Sequence, residues 1–276
     1  MTRHFFENAL VRLQYYKFGS GKQAMLCFHG YGMHGKQFKI FEPGLLSSKY
    51  TFYGFDLFFH KETKLKDQSI ASIKKGISKK ELAGLISDFC SHEDIKRFSL
   101  MGYSMGSHYA TAVVEELPAM VNEYIVAAPS SLNPGILINY FSKNKFGNKV
   151  LEKLTVSKNS LLYMLKLGRW LGFLDKVGYK ILLKEFETAE LRLSFYACFT
   201  YLRFLETNKP RLIKVLNEHS IKCIFIFGKH DRMYPSKIGN TFIPELEHAQ
   251  VLILDEDHEM INQNFATQLT GLLYDN

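Results

Sequence analysis

The chain has 276 residues, 46% of them hydrophobic, and a formal net charge of +8. That is enough apolar material for one large core, which excludes a disordered or fibrous chain and makes a single α/β domain with an insertion the expected organisation. No stretch approaches the roughly 18 uninterrupted apolar residues of a membrane span, and the N-terminus lacks the basic start and apolar core of a signal peptide, so a cytoplasmic protein with no stable membrane insertion is expected.

Short apolar runs of strand type recur at residues 10–16, 24–28, 51–55, 97–101, 124–127, 223–227 and 250–254. Segments of helical period lie between most of them, the pattern of βαβ units and a largely parallel central sheet with helices on both faces. Only Lys17-Phe-Gly-Ser-Gly-Lys-Gln separates the first two runs, too little for a helical crossover, so an antiparallel hairpin of those two runs is expected to open the sheet. The second run ends in Phe28-His29-Gly30-Tyr31-Gly32-Met33. Glycines at Gly30 and Gly32 let the backbone turn and aim amides at one point, with His29 bonding the loop in place.

Residues 97–101 run directly into Gly102-Tyr103-Ser104-Met105-Gly106, and an amphipathic helical pattern follows over 107–116. A G-x-S-x-G at a strand-to-helix turn forces the serine into a strained conformation, leaves no room for side chains at Gly102 and Gly106, and presents an exposed hydroxyl at the mouth of the sheet. From residue 131 to 210 the alternation stops and the pattern becomes helical, broken at Asn133-Pro134-Gly135, Gly147-Asn148 and Gly168. Strands then resume, so the expected organisation is a core of residues 1–130 and 211–276 with a helical cap of 131–210 over the carboxyl edge of the sheet. Aromatic residues of the insertion, among them Phe141, Phe146, Tyr163, Trp170, Phe173, Phe195, Phe199 and Tyr201, suggest an apolar acyl or aryl pocket or simple packing.

The remaining chemistry follows from strand polarity. His258 comes after the last run, on the same edge as Ser104, whereas His248 and His219 precede strands and belong at the opposite edge. Asp231, in Gly228-Lys229-His230-Asp231, follows the preceding run within reach of an imidazole on the next loop. His230 is the rival base, and Asp255 and Asp257 are too near His258 in sequence to orient it well. Ser104 is therefore the expected nucleophile, His258 the base and Asp231 the acid, with the N–H groups of Tyr31 and Met105 as an oxyanion hole. No cofactor or metal is needed. Four scattered cysteines without C-x-x-C spacing read as buried free thiols.

With these residues the chain resembles the α/β-hydrolase superfamily over essentially its whole length, in the order Ser, Asp, His. Leu26-Cys-Phe-His-Gly-Tyr-Gly-Met33 and the serine pentapeptide resemble the small capped carboxylesterases, the group that includes the biotin-pathway esterase acting on pimeloyl carrier-protein methyl ester. The resemblance implies cleavage of a carboxylic ester or thioester through an acyl-enzyme. A carbon–carbon bond hydrolase or lyase on the same triad, or a non-catalytic ligand-binding protein of this fold, stays open. Two departures stand out: Phe55-Asp56-Leu57-Phe58-Phe59-His60 replaces the family's common Asp-x-Pro-Gly-His-Gly, and Asp257 and Glu259 flank His258 where a small residue usually precedes the histidine.

Charge is unevenly spread. Residues 131–210 carry a surplus of +7 and residues 61–80 of +5, leaving −4 for the rest. This favours an anionic or carrier-bound acyl substrate, or plain solubilising lysine, over nucleic acid, for which no groove motif or module is present. The oligomeric state is not encoded in any recognisable pattern.

Overall fold

The computed structural model describes residues 1–174 and 176–274, which form two compact units. The first comprises Met1–Lys66, Lys79–Asn133 and Leu205–Asn276. Its sheet contains β1 (Thr2–Glu7), β2 (Val11–Phe18), β3 (Gln23–Phe28), β4 (Tyr50–Phe55), β5 (Lys64–Leu65), β6 (Phe98–Tyr103), β7 (Val121–Ala127), β8 (Lys222–Gly228) and β9 (Ala249–Leu254). The spatial order is β1-β2-β4-β3-β6-β7-β8-β9, with β5 beside β2. From β4 to β9 every pairing is parallel, while β2 is antiparallel to β1, β4 and β5.

The expected opening hairpin pairs the wrong strands. β2 pairs with β1 and β4, and β3 lies on the far side of β4. The short connection achieves this by crossing tightly over the start of β4: Ser20 N–H donates to Ser47 O and Gly21 N–H to Tyr50 O. A Cβ at Gly19 would lie 2.3 Å from Tyr50 O, and one at Gly21 1.9 Å from the Lys49 carbonyl carbon, so only glycine permits the crossing.

Parallel strands covered on both faces should read as continuous apolar runs, and β6 is buried at every residue. The helix Gly106–Glu116 that follows it is buried along most of its length, through Tyr109, Ala110, Ala112, Val113 and Val114. Aromatic stacking fills the space near β4, with Phe52 between the rings of Phe18 and Phe41 at centroid distances of 4.9 and 5.3 Å. Parallel register brings the carboxyl ends of β3, β4 and β6 to one edge, with Phe28 opposite both Phe55 and Gly102.

The second unit comprises Asp67–Ser78 and Pro134–Phe204, so residues 131–133 and 205–210 group with the sheet, and a segment well upstream joins the helices. Two expected helix breaks are absent. Gly147-Asn148 lies within the helix Lys145–Val156 and Gly168 within Lys158–Trp170. Gly147 serves close packing instead, since a Cβ there would meet Tyr140 O at 2.8 Å. The real starts are side-chain caps by Asn144, Ser157 and Thr188, each accepting backbone N–H bonds from the first turn. This unit has its own core of Leu161, Leu165 and Phe186, packed by Leu154, Met164, Leu174, Tyr179, Leu182 and Phe195. Four aromatics considered as pocket lining, Phe146, Tyr163, Trp170 and Phe173, are instead exposed. Among the described residues no helix is long and apolar enough to cross a membrane.

Candidate active site

Ser104 is the first residue past β6 and takes φ 49°, the left-handed region that L side chains rarely adopt. Its backbone is held on both sides. Ser104 N–H donates to Ala127 O at 2.9 Å, and its carbonyl accepts the hydroxyls of Ser107 at 2.6 Å and Ser130 at 2.8 Å. Three hydrogen bonds offset a strain of roughly 1–2 kcal/mol. The flanking glycines are steric necessities: a Cβ at Gly106 would lie 2.0 Å from Phe28 O, and one at Gly102 2.8 Å from Gly106 O.

Ser104 Oγ is 3.1 Å from His258 Nε2, and His258 Nδ1 is 2.9 Å from Asp231 Oδ2. The three side chains arise at the ends of β6, β8 and β9 and are all buried. The serine expected to be exposed shows only 8% of its surface, because its hydroxyl turns onto the imidazole. Burial by itself would raise the Asp231 carboxyl. The hydrogen bond and charge of His258 and the N–H groups of Tyr234 and Met233 outweigh burial and hold the carboxyl below its ordinary value. Those two amides donate to Oδ1 at 3.0 and 2.8 Å, leaving Oδ2 for the imidazole. An ionised Asp231 fixes the proton on Nδ1, so Nε2 is the nitrogen free to accept from the serine.

The competing groups point elsewhere. His230 pairs with Asp255 at 3.0 Å on the surface. Asp257 Oδ1 accepts the Glu259 N–H at 2.8 Å, a loop bond. His248 precedes β9, and its carbonyl accepts the Cys223 N–H at the start of β8.

The His29-Gly30-Tyr31-Gly32 loop is held by two buried imidazoles. His29 Nε2 accepts the Leu57 N–H at 3.0 Å while Nδ1 donates to Gly30 O at 2.6 Å. His60 Nε2 accepts the Gly32 N–H at 3.0 Å while Nδ1 donates to Phe58 O at 2.9 Å. Each ring accepts on one nitrogen and donates on the other, a pattern only the neutral form supports. Burial, then the neighbouring His60, depress the His29 pKa well below the usual value, and burial pushes His60 down to about 4. Asp56 Oδ1 accepts the Gly35 N–H at 2.7 Å, and its second oxygen accepts the Gln14 amide. Gly30 abuts the elbow, since a Cβ there would meet the Tyr103 ring at 2.8 Å. In the departing loop after β4, Phe59 and Lys61 take φ 64° and 51°. The two positions where the related motif has glycine thus keep a glycine-type backbone under bulky residues.

Sequence reasoning missed three supports. Tyr103 donates its hydroxyl to His258 O at 2.5 Å, and Ser107 and Ser130 brace the Ser104 carbonyl. Tyr103 occupies a variable position of the pentapeptide, and Ser130 lies in the loop after β7, outside any motif.

Residues 23–175 match the family model described as alpha/beta hydrolase fold. A Mycoplasma pneumoniae protein bearing an esterase/lipase name is 24% identical over 270 residues, covering 92% of this chain and 88% of its own. An uncharacterized hydrolase of Bacillus subtilis, YugF, is 23% identical over 263 residues, covering 89% of each. Among solved structures, a hydrolase from Pseudomonas aeruginosa superposes with a TM-score of 0.70 at 13% identity, over 99% of this chain and 98% of that one. With a family model spanning more than half of its length and this fold around the serine turn, the chain belongs to the α/β-hydrolase fold family.

Proposed function

We propose that the protein is a serine hydrolase that cleaves a carboxylic ester or thioester through an acyl-enzyme on Ser104. The observation that carries this reading is the continuous relay Ser104 Oγ–His258 Nε2 at 3.1 Å and His258 Nδ1–Asp231 Oδ2 at 2.9 Å, built on a serine at φ 49°. In the proposed reaction His258 Nε2 takes the hydroxyl proton as Oγ attacks the acyl carbon. The imidazolium so formed is stabilised by Asp231, and the oxyanion by the N–H groups of Met105 and Tyr31. Collapse expels the alcohol or thiol, which leaves with the proton from His258. Water then attacks the acyl carbon with His258 as base, releasing the acid and restoring the serine.

The esterase/lipase name of the Mycoplasma pneumoniae relative supports an ester bond over other bonds. The finer likeness to carrier-protein methyl esterases rests on the two loop sequences alone, and it points to an acyl chain presented on an anionic or carrier-bound head group. The test is labelling with a fluorescent fluorophosphonate together with turnover of p-nitrophenyl esters of graded acyl length and of an acyl-CoA thioester. Wild type should label at Ser104 and turn over at least one series, and Ser104→Ala should lose both while keeping its circular dichroism. Unchanged turnover by Ser104→Ala would overturn the reading.

A further inference from the structure

The helix Lys158–Trp170 has two apolar faces, and its own unit uses only one. Leu161 and Leu165 are buried in the core of the helical unit. Tyr163, Leu167 and Trp170, spaced i, i+4 and i+7, fall on the opposite side as one stripe and are 72%, 42% and 80% exposed. The chain extends this stripe through Leu171 and Phe173, at 50% and 62%, around a turn at Gly172 with φ 77°. Scattered apolar residues on a surface need no explanation, but five in 11 positions on one helix end form a contiguous patch.

Between Glu152 and Asp175 the charges along the chain have one sign. Residues 153–174 contain Lys153, Lys158, Lys166 and Arg169 and no acidic residue. Across Asp67–Ser78 and Pro134–Phe204 the formal charge is +8, equal to that of the entire chain, so the sheet unit is neutral overall. A two-fold contact between copies through this stripe would bring Lys166 near its duplicate and two units of +8 together, a repulsion that disfavours it. Tyr163 and Trp170 rings with Lys166 between them suit the headgroup level of a bilayer, and a helix too short to span would lie in the surface plane.

We infer that the stripe Tyr163, Leu167, Trp170, Leu171 and Phe173 docks the protein onto an anionic lipid surface, with Lys166, which lies beside it on the same helix face, toward the headgroups and the net charge of the unit adding attraction. The inference is independent of the catalytic reading, and Ser104→Ala should dock like wild type. Trp170 is the only tryptophan in the chain, so it reports on its own environment.

The full-length protein is titrated with vesicles of phosphatidylcholine alone and of phosphatidylcholine with one-quarter phosphatidylglycerol, reading Trp170 emission and cosedimentation. The expected result is a blue shift and roughly tenfold tighter partitioning onto the anionic vesicles, largely lost at high salt. Leu167→Glu, at an exposed position that spares the core, should abolish the shift with an unchanged circular dichroism spectrum. Lys166→Glu should weaken anionic binding about fivefold. Absence of a shift, equal binding by Leu167→Glu, or equal affinity for both vesicle types would overturn the inference. So would a blue shift without lipid that tracks a doubling of mass, which would make a second copy the occupant. A shift induced by a small acidic protein but not by vesicles would overturn it as well.

Discussion

The hydroxyl of Tyr103 donates to the backbone carbonyl of His258 at 2.5 Å, tying the residue before Ser104 to the histidine that meets the serine hydroxyl, across 155 positions of sequence. The Tyr103 ring also lies 5.6 Å from the imidazole, and Tyr234 flanks it at 5.5 Å. Burial and the nearby Asp231 charge raise the Tyr103 pKa, so the phenol stays a donor throughout the working range. Elbow and histidine loop are thus positioned by one bond that no sequence period reveals.

Removing that bond leaves a buried carbonyl without its donor while the ring packing survives. Tyr103→Phe should lower kcat roughly tenfold and leave KM nearly unchanged, with a stability loss of about 1–3 kcal/mol. Stopped-time ester assays and urea denaturation measure the two effects. An unchanged kcat would show that the histidine loop is held adequately by its other contacts.

Asp231 Oδ2 is the oxygen that fixes the His258 tautomer, and Asp231→Asn keeps the shape while offering an amide in place of the carboxylate. Turnover should fall by about 10⁴, as expected where the imidazole is left with the wrong nitrogen protonated. His230→Ala, whose side chain reaches Asp255 at the surface, should change turnover less than twofold. The reverse ranking would make His230 the base.

The legible part of this protein is local. Ser104, Asp231 and His258 could be read because each follows an apolar run directly, and strand polarity then assigns all three to one edge. What was not legible depends on approach between distant segments. β1 is a half-exposed edge strand with weak alternation, and the pairing of β2 was misread because the crossing at Gly19 and Gly21 is decided by Tyr50, about thirty residues on. Gly147 looked like a helix break because its reason for being glycine is Tyr140 on a neighbouring helix. The braces Ser107 and Ser130, like Tyr103, act through backbone oxygens, which carry no residue identity. Two φ values in the loop after β4 show the converse: the backbone was kept although its glycines were not.

The two loop-holding imidazoles make stability fall in mild acid. In the unfolded chain both titrate near 6.5, whereas in the fold His60 is pushed down to about 4 and His29 well below its usual value. As pH drops below about 6.5 the unfolded chain binds protons that the fold refuses, so unfolding becomes easier. Asp56, raised by burial to about 6, acts oppositely by holding a proton in the fold between roughly 3.8 and 6, and cancels one histidine over that interval. The loss should therefore set in near pH 6.5 and continue at close to one net proton, about 1.4 kcal/mol per pH unit, down to about pH 5. Urea midpoints from pH 7.5 to 5 measure it. His60→Gln, which still offers an oxygen to the Gly32 N–H, should flatten the profile, and a slope equal to wild type would assign the pH dependence to other groups.

If the substrate carries the proposed anionic head group, the formal charge of +8 concentrated in the helical unit should be felt in its kinetics. A field of this kind raises encounter rates with anions and is screened over about 8–10 Å at physiological salt, so it belongs in kcat/KM and not in kcat. For an acyl-CoA thioester, kcat/KM should fall several-fold between low and physiological ionic strength, and for a neutral p-nitrophenyl ester of the same acyl length it should stay nearly constant. The exposed Lys145 and Lys149 are suitable sites for charge reversal, whereas burial lowers the pKa of Lys143, which is better left intact. Lys145→Glu with Lys149→Glu should slow the thioester roughly tenfold more than the neutral ester. Because the proposed acyl-enzyme is common to both substrates, any damage to the chemistry would appear in both. Equal effects on both, or none on either, would reduce these lysines to surface solvation and remove the case for an anionic head group.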